Sequence, residues 1–76
     1  MPINRPKLPP MNARALLAHN LRRMRAERGW SQEDLAAACG LDRSFVAHVE
    51  RAVRNISIDN IEKLALAFDV KIADLF

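Results

Sequence analysis

Apolar positions along this chain recur at helical spacing, in blocks separated by residues that start or stop helices. Leu17, Leu21 and Met24, with Leu16 and Asn20 alongside, make one inward stripe. Asn12 caps that first helix, Met11 and Leu16 flank its start as a hydrophobic staple, and Gly29 closes it after about Arg28. Ser31 opens a second, short helix: its hydroxyl can accept from the free N–H of Asp34, and the Asp34 carboxylate can reach back. Trp30 and Leu35 staple that start, and Ala36 and Cys39 continue the stripe with small side chains. Gly40 supplies the positive φ of a sharp reversal. Asp42 starts a third helix, stapled by Leu41 and Val46, whose core direction is set by Val46 and Val49. Ser57 caps a fourth, stapled by Ile56 and Ile61, in which Ile58, Ile61, Leu64, Ala65 and Phe68 belong to the core. VKIADLF reads as a short fifth helix that Lys71 caps poorly. The predicted fold is all-α, a compact bundle of five helices.

The second and third helices are organised around a tight turn, with Gly in the turn and small residues at the crossing, which is a helix-turn-helix signature. At about 100° per residue, Val46 and Val49 of the third helix point one way. Ser44, Ala47, His48 and Arg51 point roughly the opposite way, with Arg43 at the leading edge. A small residue at the centre of an outward face, flanked by hydrogen-bonding and cationic groups, suits the floor of a DNA major groove. A merely solvated helix face is the plainer alternative.

The segment GWSQEDLAAACGLDRSFVAHVERAVRN resembles the lambda-repressor-like family of regulators, the Cro/repressor or xenobiotic-response-element type. The resemblance covers about residues 16–76. It is carried by Gln32, Ala36, Gly40, Val46, Val49, Glu50-Arg51, Asn55, Ser57 and the closing Asp74-Leu75-Phe76. It implies a compact bundle of about five helices that binds operator DNA, usually as a dimer. It also implies that Gln32 contacts the DNA backbone and braces the third helix, and that Arg22 pairs with Glu50. The chain departs from the family pattern at Ala52, where Gly is usual, and at Ile56, where Pro is usual. A left-handed Ala52 would cost on the order of 1 kcal/mol. Asp69 likewise replaces a usual Gly or Asn.

Charge sharpens this picture. The net charge is +3, but residues 1–57 hold ten Lys/Arg against five Asp/Glu, whereas residues 58–76 hold two Lys against four acids. A basic front and an acidic rear suit a domain that binds a polyanion on one side and a partner on the other. Arg22, Arg23, Gln32, Arg54 and Asn55 are the candidate DNA-backbone contacts, and Arg43, Ser44, Ala47, His48 and Arg51 the base-reading set. Leu66 lies off the core stripe of the fourth helix; with Ile72, Leu75 and Phe76 it is a candidate dimer surface.

Length and composition bound the rest. At 76 residues the chain holds one domain, with a thin stability margin. All four prolines fall in residues 1–10, so residues 1–11 are expected to be a flexible, basic, Pro-rich arm and residues 12–76 the helix-turn-helix domain. The arm either lies along a DNA groove or is an inert tail. The single Cys excludes an intrachain disulfide, and no Cys/His cluster has zinc spacing, so no metal or cofactor is expected. No apolar run approaches a membrane span and the start lacks a signal-peptide core, which makes the cytoplasm the expected compartment. Two His, one Cys and no paired carboxylates in an apolar setting make no catalytic constellation, so no enzyme is expected. The expected function is a sequence-specific transcriptional regulator, a repressor, acting on double-stranded DNA at an inverted-repeat operator as a homodimer. Two rivals use the same architecture: an antitoxin-like or other protein-interaction module, and a structural or RNA-binding helical domain. The chain has no Tyr and few aromatics to stack on single-stranded RNA.

Overall fold

The computed structural model describes residues 12–76. They form four α-helices, α1 (Ala13–Arg28), α2 (Gln32–Cys39), α3 (Arg43–Glu50) and α4 (Ile58–Phe68), and a 3-10 turn, Ile72–Leu75. The expected arm over residues 1–11, and the Met11 half of the first staple, lie outside the described residues. The all-helical class stands, with four α-helices rather than five, because the closing segment makes only a single 3-10 turn. The Lys71 side chain can accept no hydrogen bond to start a helix; instead the Asp74 carboxylate accepts from the Lys71 N–H at 3.0 Å.

Helix starts follow the capping residues. Asn12 accepts from the Ala15 N–H, Ser31 and Asp34 complete a reciprocal capping box, and Ser57 accepts from the Asn60 N–H. Asp42 starts α3 in position, but its side chain makes no capping bond. All four helices stop in one way. A residue one position past the helix, or two past it in α3, turns left-handed, and the next N–H reaches back to a carbonyl five residues earlier: Trp30 to Arg25, Leu41 to Ala36, Val53 to His48 and Val70 to Ala65. The left-handed residues are Gly29, Gly40, Ala52 (φ 60°) and Asp69 (φ 56°). Glycine adopts this conformation freely; Ala52 bears the Cβ penalty anticipated from the sequence.

The core runs through Leu17, Leu21, Met24, Leu35, Ala36, Val46, Val49, Ile61, Leu64, Phe68 and Leu75. α1 and α2 both pack on α3, and α4 backs α2. At the seam between α1 and α4, Trp30 stacks on Phe68 with ring centres 5.5 Å apart, and the Arg28 guanidinium lies 4.8 Å from the Phe68 ring centre. Arg28 also donates to the Phe68 carbonyl at 2.8 Å. The 3-10 turn is tied back through buried Asn20, which donates to the Leu75 carbonyl at 2.8 Å. Two expectations are corrected here. Ile58 is 70% exposed rather than in the core, because it occupies the first position of α4, before the packed stripe begins at Ile61. Leu75, expected on a dimer surface, is fully buried in its own core, and only Leu66, Ile72 and Phe76 remain exposed.

Candidate nucleic-acid interface

α2, the Gly40 turn and α3 form a helix-turn-helix unit whose two helices pack directly on each other. α3 buries Val46, Val49 and Glu50 and turns its other side outward. Arg43, Ser44 and Arg51 are exposed, while Ala47 and His48 are half-buried. By helical angle Ser44, Ala47 and His48 lie on the side of α3 away from Val46 and Val49, with Arg43 at the leading edge, and Arg51 follows at its C-cap. Arg43 comes within 3.8 Å of Glu33 at the start of α2, with both side chains exposed. Such a pair is weak and leaves Arg43 free to exchange partners.

What fixes α3 in orientation is Glu50, only 2% exposed. Arg25 of α1 grips its carboxylate with two bonds, Nε to Oε2 at 2.6 Å and Nη2 to Oε1 at 2.7 Å. Gln32 adds a third donor to Oε1 at 3.1 Å, and Arg25 also donates to the Trp30 carbonyl. A bidentate guanidinium–carboxylate pair is directional as well as strong, so it sets the angle of α3 against α1 and α2. The bond to Glu50 holds the Arg25 guanidinium above the ordinary arginine range, although burial pulls the other way. Arg22 does not pair with the Glu50 carboxylate as expected: its guanidinium donates to the Glu50 backbone carbonyl. The reason is reach, since Arg25 is one turn nearer the end of α1 and occupies both carboxylate oxygens first. Arg22 thus braces the end of α3.

The loop after α3 carries the expected Arg54 and Asn55, both exposed. The Arg54 guanidinium lies 5.7 Å from the centre of the Phe45 ring, which ties the loop to α3. Asn55 accepts a hydrogen bond from Arg14, in the first turn of α1. Arg23 is not brought to this surface. It pairs with Glu27 at 3.0 Å, on a side of α1 about 160° from Arg25. The sequence reading missed Arg14, the role of Arg25 and the contact of Phe45. A helical wheel of α1 carried the first two, because Arg14 and Arg25 are eleven residues apart and so lie within about 20° of each other. Cys39 is buried, and burial pushes its thiol up, away from reactivity. Among the described residues no helix is long and apolar enough to cross a membrane.

Comparison with known proteins follows the same lines. The model of the HTH_3 helix-turn-helix family matches residues 21–75. A hypothetical transcription factor of Neisseria meningitidis serogroup B is 56% identical over 57 residues, covering 75% of this chain and 54% of that protein. The match thus spans about half the length of that relative. Control protein C.BamHI of Bacillus amyloliquefaciens is 42% identical over 65 residues, covering 84% of this chain and 80% of that one. Among solved structures, the restriction-modification controller protein C.AhdI from Aeromonas hydrophila superposes with a TM-score of 0.80 at 48% identity, over 83% of this chain and 96% of that chain. The controller protein C.Esp1396I, as a tetramer in complex with its natural 35 base-pair operator, superposes with a TM-score of 0.75 at 30% identity, over 83% of each chain.

Proposed function

Because this chain belongs to the HTH_3 helix-turn-helix family, we propose that it is a sequence-specific, double-stranded-DNA-binding regulator of transcription, acting as a repressor. The observation that carries the reading is the free face of α3, held at a fixed angle by the buried Arg25–Glu50–Gln32 cluster. A helix presented this way enters the major groove with its first turns, where side chains reach base edges. Ser44, Ala47 and His48 lie along the groove floor. Arg43 reads a guanine from the leading edge, and Arg51, two turns further on, meets the strand as it climbs out. Gln32, Arg54 and Asn55 lie toward the phosphates, with Gln32 contributing mostly by bracing Glu50. Residues 12–76 are the DNA-binding domain, the function is binding rather than catalysis, and the compartment is the cytoplasm.

The same reading makes the protein a homodimer on an inverted-repeat operator. Leu66, 73% exposed on α4, and the exposed Ile72 and Phe76 are the apolar side chains available to a second copy. The C.Esp1396I tetramer on operator DNA supports an oligomeric binding unit.

Selection of bound sites from random duplexes, followed by footprinting, tests the proposal. One recovered consensus with two half-sites about one helical turn apart is expected. The affinity should fall with salt at a slope near −3 to −4 per subunit if about four phosphates are neutralised by each. Recovery of no consensus together with a flat salt dependence would rule the reading out.

A further inference from the structure

Arg14 has no place among the groups assigned above, yet it joins two segments 41 residues apart by donating to Asn55 Oδ1. Arginine is a donor only, so the Asn55 amide must turn its oxygen to Arg14 and its two N–H donors away. The loop cannot supply those donors from its first backbone groups. The Ala52 and Val53 N–H groups are bonded to the Val49 and His48 carbonyls, closing α3. Anion-directed donors in this loop therefore come from side chains or from backbone beyond Val53. Arg54 stands next to Asn55, its guanidinium over Phe45, and all three polar side chains, Arg14, Arg54 and Asn55, are exposed.

We infer that Arg14 and Asn55 form one phosphate-binding unit, in which Arg14 turns the Asn55 amide toward the DNA strand and adds its own charge. Arg14 is both a contact and a positioning residue, and the footprint of the domain reaches from α3 across the loop to the first turn of α1. This inference rests on the DNA-binding reading above.

A double-mutant cycle on the full chain tests it, with affinity for the selected operator measured from 0.05 to 0.3 M salt. Arg14→Ala removes one phosphate contact, so the salt slope should become shallower by about 0.9, equivalent to about eightfold weaker binding at 0.1 M salt. Asn55→Ala should weaken binding several-fold with the slope unchanged. The double variant should be weaker than Arg14→Ala by less than Asn55→Ala is weaker than the parent, because the amide has already lost its orientation. Asn55→Asp keeps an acceptor for Arg14 and should keep the thermal midpoint, while losing at least tenfold in affinity as a negative charge replaces two donors. Parent-like affinity and slope in Arg14→Ala, with the parent still binding the operator steeply with salt, overturns this inference and leaves the DNA-binding reading intact. Strictly additive losses in the cycle also overturn it. A parent chain that binds no duplex overturns the DNA-binding reading itself.

Discussion

The front of the molecule, α1 to α3, and its rear, α4 with the 3-10 turn, solve the same problem with unequal means. In the front, α1 and α2 stop on glycines and a buried carboxylate is met by three donors on two neighbouring helices. In the rear, α4 stops on a left-handed Asp69, and the last turn begins at a lysine without a side-chain cap. Large apolar side chains at Ile58, Leu66, Ile72 and Phe76 remain in water. The difference teaches where geometry is specified tightly. α3 must hold one angle to be useful in a groove, and directional charged bonds supply that angle. The rear needs only to close the core and leave an apolar surface for a partner.

The most damaging way to break this contrast is Glu50→Ala. It strands Arg25 and Gln32 donors around a cavity and should cost about 3–5 kcal/mol, measured by urea unfolding. That is a large part of the roughly 4–11 kcal/mol available to a chain this long. A loss below about 1 kcal/mol would mean that the buried cluster contributes little to the front. In the rear, Leu75→Ala should cost about 2–5 kcal/mol, since the side chain is fully buried, whereas its neighbour Phe76→Ala should cost less than about 1 kcal/mol. Equal losses at the two positions would erase the distinction drawn between them.

Leu66→Glu sharpens the comparison from the surface side. Self-association measured by sedimentation should weaken at least tenfold, about 1.4 kcal/mol, with helix content unchanged. An unaltered sedimentation profile would remove Leu66 from the interface. The smallest effect is a gain. Ala52→Gly relieves the left-handed Cβ at the end of α3 and should stabilise by about 0.5–1 kcal/mol after the entropic cost of glycine. Asp69→Gly should gain less, because Asp tolerates that conformation better than Ala. Calorimetric midpoints order the two.

Much of this contrast was legible in the sequence, for local reasons. Asn12, Ser31 and Ser57 cap through neighbours three residues away, and Gly29, Gly40, Ala52 and Asp69 end helices through bonds within six residues. The outward face of α3 followed from angle alone. What needed the third dimension was partner choice between segments. Arg22 and Arg25 sit one turn apart on nearly the same side of α1, and only the packing of α1 on α3 decides which reaches the carboxylate of Glu50 and which its carbonyl. Arg14 and Asn55 are 41 residues apart, beyond any local pattern. Leu75 and Phe76 are adjacent apolar residues, and only the packed fold decides that Leu75 is the one buried.

The stack of Trp30 on Phe68 makes the chain its own spectroscopic reporter. It holds one tryptophan, and that indole lies at the seam between α1 and α4, pressed on Phe68 with Arg28 alongside. Emission at its red edge therefore reads the joining of front to rear, not events at α3. Titration with duplex DNA should leave it nearly unchanged, while urea should shift it in step with loss of far-ultraviolet ellipticity if both parts melt together. A shift preceding the loss of helix would show the seam opening first, with the two halves still folded.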